Sequence, residues 1–563
     1  MPAIVSPVRR IIRPHTVPFT GGHWRYGGDG DGVPDWVKAI LSNADAAYGQ
    51  YPGQNWIKGQ GVVPDASLFS VTRAAPPDLI IPDAAGVYQS FGANVLGRAG
   101  LGVLGNGAGT NDLTDTNTSG WTIVGVGGAG VLPVRTTVTG VIPGQDAQQY
   151  ACRGGTFGRP ERFFSGLSGT AFTFAAILES SNSTTSVVGL GDGSGSGSGT
   201  NGGSVTFNWS TNALTTLQGT VNASRVTQLG TGPNGGKLVL IEAKITRSTA
   251  TAFRVYLDST ASGGDPANTG TTIIHHVQLT AGTVYLPMIV SGASAATLAA
   301  SIIEVTPAAL PAAQSRYGLA TKVDYLSSTL RRTICEGWVD ANQYMRIYLD
   351  TDNKFKLAVS WLGPQLVPNS DFETNVDGWP TPSGTTLTWD NGTARIDTLT
   401  PGVHAAGRNV VGLAGNTVYL EALCSAATTT EVFVGYNAGG GTPYLKIGNT
   451  VGTPNSIVYE ADSGNVILRV DGDAQSGNFE YVRAFVINTT TIETAAITAP
   501  GIYALSALVT NALRSLQLDA QTPVTNSDAI TLPTWTNFRI GNGQASATPL
   551  NGITTYGGWE GVA

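Results

Sequence analysis

Scarcity of charge is the feature of this sequence that most restricts its fold. Asp, Glu, Lys and Arg make up only 12% of the 563 residues, against about 25% in an average soluble protein. Long surface helices need charged outer faces, so a helical architecture is disfavoured. Gly (74 residues), Thr, Ser, Val, Ile and Tyr occupy much of the chain instead, and β-branched and aromatic residues favour strands. The sequence therefore predicts a mainly β protein.

Length and charge limit the possible classes further. At roughly 100–200 residues per domain we expect three to five domains, and the 41% hydrophobic fraction supplies their cores. The net charge of −7 gives no reason to expect a nucleic-acid partner, which needs a basic surface. No apolar run reaches the ~18 residues that a membrane span requires. The odd number of cysteines (Cys152, Cys335 and Cys424) predicts buried thiols rather than a disulfide framework or a four-cysteine zinc site.

The first 66 residues contain an alternating Asp-Gly run ahead of a predicted helix at 35–41. Asp29, Asp31 and Asp35 match positions 3, 5 and 9 of an EF-hand calcium loop. Gly27 and Lys38 occupy positions 1 and 12 and supply no carboxylate. The run resembles the loops of thrombospondin type 3 repeats. Two interpretations stay open: a calcium site, or a solvated turn that leads into the helix.

Residues 114–305 show the pattern of a β-sandwich. Period-two alternation and β-branched content predict strands at 136–142, 172–178, 237–243 and 252–257, among others. Several strands at this spacing, with a Gly/Ser-rich loop at 191–203 between them, are typical of sandwich domains.

The segment 68–113 resembles a preamble found in tailed-phage particle proteins, which has the form F-x-R-A, D-x-x-G-V-x-Q, A-N-V, G-L-L, T-N-L. The matching stretches here are V-T-R-A at 71–74, D-A-A-G-V-Y-Q at 83–89, A-N-V at 93–95 and G-V-L at 102–104. The run Q-L-T-A-G at 278–282 resembles the end of the jelly roll that follows in those proteins. The resemblance implies an irregular virion-attachment region at 1–113 and a jelly-roll β-sandwich at 114–305.

A second sandwich is predicted in two pieces, at 306–364 and 491–563. The strands at 344–349 and 354–359 flank a short Asp/Asn turn, which indicates a hairpin. Together with N-F-R-I-G at 537–541 and L-N-G-I at 550–553, they resemble a concanavalin-like or laminin-G-like sandwich. We call this predicted unit the host sandwich.

Residues 365–490 interrupt the host sandwich with a further unit, which we call the inserted module. It opens with N-S-D-F-E at 369–373 and G-W at 378–379, and closes with G-N-F-E-Y-V at 477–482. These elements resemble a carbohydrate-binding-module jelly roll. Loops tolerate such insertions because the entropy of loop closure grows slowly with length. The overall expectation is therefore a set of tandem β-sandwich domains, one inserted in another.

Sugar binding in the inserted module would use aromatic ring faces with Asn and Arg side chains beside them. The side chains that the sequence offers for glycan binding are Trp379, Trp389, Asn391, Arg395, Tyr436, Asn437 and Tyr444. For each aromatic residue, a place in the sandwich core is the competing interpretation. Trp379 belongs to the family motif, and we expect it to pack at the end of the sandwich.

The resemblance also implies a structural calcium ion in the inserted module. Glu373, in the F-E pair, and Glu480, the late acid, are the matching ligands. Tyr481 stands where the family often has a second acid, and exposed glutamates without a metal are the alternative.

Nothing in the sequence predicts catalysis. No short motif pairs two carboxylates for glycoside hydrolysis, and the adjacent His275 and His276 would point to opposite faces of a strand. The resemblance implies instead a virion structural protein (tail fibre, tail tip or head spike) that binds host surface polysaccharide and attaches to other virion proteins through its N-terminal region. The absence of a secretion signal in residues 1–20 agrees with a virion location.

By analogy with fibres, we expect a homo-oligomer, with a trimer preferred. Two alternatives remain: a purely architectural decoration protein that binds no sugar, and, less favoured, a glycan depolymerase.

Overall fold

The structure of the protein is a computed structural model. It describes residues 45–48, 55–57, 60–74, 76–82, 87–97, 103–105, 109–126, 132–151, 157–163, 171–180, 182–191, 203–246, 252–256, 271–281, 288–310, 314–325, 331–381, 383–435, 444–446, 450–461, 464–519, 521–541 and 552–561.

Short strands and one helix form the N-terminal part. Their bounds are β1 (Ala46–Tyr48), β2 (Asn55–Ile57), β3 (Gly61–Val63), α1 (Asp65–Leu68), β4 (Phe69–Thr72), β5 (Leu79–Pro82), β6 (Tyr88–Phe91), β7 (Val103–Gly105) and β8 (Gly109–Asn111). The next group is β9 (Thr122–Val126), β10 (Val134–Val138), β11 (Ala147–Ala151), β12 (Phe157–Phe163), β13 (Ala171–Ser180), β14 (Thr185–Gly191), β15 (Gly203–Asn208), β16 (Leu214–Thr231), β17 (Lys237–Thr246), β18 (Ala252–Tyr256) and β19 (Thr271–Ala281).

The second half of the chain continues in strands. Ahead of the predicted insertion lie β20 (Ala296–Leu298), β21 (Ile302–Val305), a 3₁₀ turn (Pro307–Ala309), β22 (Gln314–Tyr325), β23 (Arg332–Asp340), β24 (Gln343–Leu349) and β25 (Phe355–Gln365). Then come β26 (Thr385–Asp390), β27 (Thr393–Thr398), β28 (Val403–Asn409), β29 (Thr417–Ala427), β30 (Val432–Gly435), β31 (Tyr444–Lys446), β32 (Asn455–Glu460), β33 (Asn465–Asp471) and β34 (Ser476–Glu493). The last strands are β35 (Gly501–Thr510), β36 (Arg514–Leu518), β37 (Val524–Asn526), β38 (Asn537–Ile540) and β39 (Gly552–Gly561).

Strands thus dominate the described residues, and α1, of four residues, is the α-helix among them. The prediction of a mainly β protein is confirmed. Among the described helices, none has the length and apolar character needed to cross a membrane.

One sheet curls over on itself. Its strand order is β10-β11-β19-β13-β17-β16-β15-β14-β18-β12-β9. The long strand β16 pairs with β15 through its first residues and with β17 through the rest, so it joins the two layers. Phe172 and Phe174 from one layer and Val188 and Phe207 from the other meet in the core between them. The β5-β6 hairpin packs Ile80 on the outer side of this sheet, which is why β13 is buried on both faces.

The host sandwich is built from two large sheets. One has the order β3-β2-β1-β39-β22-β35-β36-β37, with β7 beside β39, and the other contains β25-β24-β23-β38-β21-β4. Tyr317 and Leu319 from the first sheet pack with Ile347 and Leu357 from the second. Strands β1 and β4, from the segment that the sequence assigned to virion attachment, pair with β39 and β21. These strands therefore belong to the sheets of the sandwich.

The inserted module lies between β25 and the end of β34 and has its own core. Its four-stranded sheet β28-β33-β30-β31 faces β27, β34 and β29. Ile396, Leu420 and Phe479 pack against Val434 and Leu468 between the two layers. Strand β34 also pairs with β25 of the host sandwich, so the two units share one strand.

Candidate functional site

A shallow polar cavity of ≈ 270 Å³, open to solvent, lies on the surface of the inserted module. Three elements supply its walls: the loop after β25, the turn between β26 and β27, and strand β34. The residues that line it are Asp371, Glu373, Asn391, Gly392, Thr393, Glu480, Tyr481 and Arg483. The cavity brings together three residues that the sequence singled out separately, namely Glu373 and Glu480 for calcium and Asn391 for glycan.

The turn at one side of the cavity is fixed by its own sequence. Asp390 pairs with Thr393, so Asn391 and Gly392 are the two central residues of a hairpin. Their φ angles are +47° and +88°, as a type I′ turn requires, and Asn-Gly is the dipeptide that adopts this turn most readily. The exposed Asn391 side chain is held at the cavity by this turn.

A β-bulge in β34 sets the opposite wall. Leu423 pairs with Tyr481 but Cys424 pairs with Phe479, so Glu480 is the extra residue. Such a bulge interrupts the alternation of side chains along a strand. Both Glu480 and Tyr481 are consequently accessible to solvent, while Phe479 and Val482 on either side are buried.

Arg483 is fixed by two carboxylates. Its Nε donates to Asp371 Oδ1 at 2.7 Å, and Nη1 donates to Glu421 Oε1 at 3.4 Å. Partial burial disfavours the charged guanidinium, but the hydrogen bonds and the charge of Asp371, with those of Glu421, outweigh it and raise the pKa of Arg483. The guanidinium lies 4.3 Å from the centroid of the Tyr481 ring, within range of a cation–π contact that holds the ring in place.

The remaining charge in the cavity is negative. Burial, followed by the charge of Glu421, raises the pKa of Tyr481, so its hydroxyl stays protonated and can donate a hydrogen bond. Among the described residues, Glu373 and Glu480 have no hydrogen-bond or ion-pair partner, whereas Arg483 is occupied by Asp371 and Glu421. Hydrogen-bond acceptors and one hydroxyl donor are therefore available to a ligand.

The calcium prediction for the inserted module rests on Glu373 and Glu480, which both line the cavity. The described residues include no group of three or more His, Cys, Asp or Glu side chains that could hold a metal ion, and Ca²⁺ takes six to eight oxygen ligands. Asp371, the third acid at the cavity, is engaged by Arg483. A calcium ion at Glu373 and Glu480 stays a prediction of the resemblance. The calcium motif of Asp29, Asp31 and Asp35 lies outside the described residues, as does the predicted helix at 35–41.

The two tryptophans of the inserted module have different environments. Trp379 is 5% exposed and packs against Phe372, with ring centroids 5.7 Å apart, so it offers no free face to a sugar. Trp389 is 45% exposed, and its Nε1 donates to the Phe372 carbonyl at 2.8 Å. The ring of Trp389 is therefore both accessible and fixed.

Among the described residues, Arg395 does not line the cavity. The Nε of Arg395 donates to both oxygens of Asp397 at 3.0 Å, and its Nη1 lies 3.4 Å from Asp390. Tyr444 pairs with Gly435 through β31. Tyr436 and Asn437 lie outside the described residues.

Sequence reasoning did not select Asp371, Thr393, Tyr481 or Arg483 as ligands. One signal could have found two of them. In β34 the accessible Tyr481 and Arg483 alternate with the buried Val482 and Ala484, which is the period-two pattern of a strand with one solvent face.

No protein-family model matches the chain, and no curated protein matches it significantly in sequence.

Proposed function

We propose that this chain is a structural protein of a phage virion, a tail-fibre, tail-tip or head-spike component, whose inserted module binds a glycan of the host surface. The cavity at Glu373, Asn391, Glu480 and Tyr481 is the observation that supports binding. The virion assignment is supported by the sequence resemblance at 68–113 and 278–282. The N-terminal region would contact other virion proteins.

The cavity fits the chemistry of a sugar. Its ≈ 270 Å³ is just below the ~300–1,000 Å³ of pockets for drug-sized ligands, so it accommodates about one sugar ring. Glu373 and Glu480 would accept hydrogen bonds from sugar hydroxyls, and the Asn391 amide can both donate and accept. The Thr393 hydroxyl already donates to the Asp390 carbonyl at 2.7 Å. The Tyr481 ring, fixed by Arg483, supplies apolar surface. A single site of this kind binds weakly, and a homo-oligomer, which we propose to be a trimer, raises the avidity by ~10²–10⁴.

The test is binding to an array of bacterial capsular and O-antigen polysaccharides, with mannan, xylan and β-1,3-glucan included. We expect wild-type protein in its native oligomer to bind at least one polysaccharide. Tyr481→Ala and Glu480→Gln should each weaken that binding about tenfold or more. Glu431→Gln, an exposed acid outside the cavity, is the matched control and should bind as the wild type does. Equal binding by all variants would refute the site.

The architectural alternative is favoured by one specific observation. Trp379 and Arg395, both predicted to bind glycan, are engaged within the protein, Trp379 in the core and Arg395 with Asp397. If the folded, oligomeric wild type binds no polysaccharide, the module is a decoration that spaces or stabilises the particle.

Hydrolysis is not part of the proposal. We expect no new reducing ends when the bound polysaccharide is incubated with the protein. A steady increase in reducing ends that Glu480→Gln abolishes would assign a depolymerase instead.

A further inference from the structure

Strand β34 extends the accessible surface of the cavity into the host sandwich. Its first residues pair with β27 and β29 of the inserted module. Its last residues, from Ile487 to Glu493, pair with β25 of the host sandwich. One strand of 18 residues is therefore common to both units and fixes their relative position along it.

The burial pattern shows that both cores lie on the same side of β34. Val482 and Ala484 are buried in the core of the inserted module, and Ile492 in that of the host sandwich. The alternate residues are all accessible to solvent; they are Tyr481, Arg483, Phe485, Ile487, Thr489, Thr491 and Glu493. We call this strip, together with its cross-strand neighbours in the host sandwich, the β34 face.

Aromatic rings lie at the host end of the β34 face. In register across the sheet, Thr489 pairs with Ser360, Ser360 with Tyr344, and Tyr344 with Trp338. The rings of Trp338 and Tyr344 are 6.3 Å apart and inclined by 20°, and both are half-buried. The Arg346 guanidinium lies 5.0 Å from the centroid of the Tyr344 ring. The contact between Arg346 and Tyr344 repeats the arrangement at the cavity, where the Arg483 guanidinium lies over the Tyr481 ring.

Charges at the host end of the β34 face are paired. Arg346 Nε donates to Glu336 at 2.6 Å, and both of these residues are buried. Arg539 Nε donates to Glu304 at 2.8 Å. A nucleic acid or a strongly charged peptide needs unpaired opposite charges on its partner. Aromatic rings beside neutralised polar groups fit an uncharged, hydroxyl-rich chain better.

We propose that the β34 face binds a polysaccharide as an extended chain, with one sugar in the cavity and further units reaching the Trp338–Tyr344 pair. This inference rests on the proposed glycan function and adds a second binding surface, in the host sandwich, for the same polysaccharide chain. From Tyr481 to Thr489 the strand rises by about 26 Å, at ~3.3 Å per residue. A single sugar ring cannot cover that distance.

The test compares polymer with short oligosaccharide for the polysaccharide that the array identifies. Trp338→Ala should weaken binding of the polymer about tenfold and leave binding of a disaccharide from the same polysaccharide unchanged. Thr489→Glu places a bulky charge on the exposed strip without altering either core, and it should act in the same way. It therefore keeps the test valid if Trp338→Ala does not fold. Tyr503→Ala, on the other large sheet, is the control and should retain both affinities.

The outcomes separate the two proposals. Full polymer affinity in Thr489→Glu, with loss in Tyr481→Ala, would overturn the extended chain and leave the glycan site in place. Equal affinity of the wild type for the polymer and for the disaccharide would also overturn the extended chain and leave the glycan site in place. Absence of any polysaccharide binding would overturn both.

Discussion

At the scale of single residues, the two adjacent histidines of β19 show how the fold controls protonation. Both rings are fully buried. His275 is the extra residue of a bulge against β13, and its Nε2 lies 2.9 Å from Glu179, which is buried as well. Burial opposes the charge of Glu179, but hydrogen bonds from His275, Asn234 and Gly236 lower the pKa of that carboxyl. Burial lowers the pKa of His276 to about 4.

The curled sheet should lose stability in mild acid because of His276. In the unfolded chain His276 has its ordinary pKa of 6.5, whereas in the folded chain its pKa is about 4. The free energy of unfolding is therefore at its full value above pH 6.5 and decreases as the pH falls to about 4. A shift of this size corresponds to about 3 kcal/mol at ~1.36 kcal/mol per pH unit. Thermal unfolding monitored from pH 7 to 4 should show this slope in the wild type. His276→Gln should remove most of it, and an unchanged slope in that variant would contradict the assignment.

The burial of single side chains could be only partly predicted from the sequence. Trp379 and Trp389 lie ten residues apart in the same motif region, yet one is in the core and the other is half exposed. Trp389 lies on β26, the edge strand of its sheet, and whether a strand is at an edge depends on long-range pairing. The local pattern could not distinguish the two rings.

At the scale of elements, the strands were the easiest to predict because their signals are local. The alternation at 344–349 and 354–359 corresponds to β24 and β25, which flank a turn with Asn353 at φ +62°. The full length of β34 was not predictable in the same way. Its first half belongs to one core and its second half to another, so a single strand crosses the boundary that the sequence placed at 490.

The turn between β26 and β27 gives a prediction at this scale. Gly392 has φ +88°, and a Cβ there would meet nothing within 4 Å, so only backbone strain opposes a side chain. Gly392→Ala should lower the free energy of unfolding of the inserted module by about 1 kcal/mol, measured by chemical denaturation. Asn391→Gly is the matched control, since glycine accepts the same positive φ, and its stability should stay within ~0.5 kcal/mol of the wild type. Destabilisation of equal size in both variants would show that the turn geometry is not the cause.

At the scale of the whole molecule, strands far apart in sequence close the host sandwich. Strand β1 pairs with β39, with Tyr48 opposite Gly557. A Cβ on Gly557 would lie 2.4 Å from the Tyr48 ring, so this glycine allows the close approach. No local signal could indicate a pairing across some five hundred residues, so the sequence could not show that this segment supplies a strand to the host sandwich.

Tyr48 should therefore be essential for the host sandwich. It is fully buried and meets Phe69 edge to face at 5.4 Å. Tyr48→Ala should lower the free energy of unfolding by about 3–5 kcal/mol through lost contacts and the cavity left behind, measured by thermal or chemical unfolding. Val411→Ala, at a side chain that is 90% exposed, should change it by less than ~0.5 kcal/mol. A loss below ~1 kcal/mol in Tyr48→Ala would mean that the N-terminal strands are dispensable.

The most direct measurement of the central claim is binding of the labelled, native oligomer to intact cells of a candidate host, compared with cells that lack the surface polysaccharide. The account predicts that the wild type is strongly retained on polysaccharide-bearing cells and is not retained on bare cells. Tyr481→Ala should lose the retention on polysaccharide-bearing cells. Retention that is indifferent to the polysaccharide, or unchanged in Tyr481→Ala, would contradict glycan binding through the cavity of the inserted module.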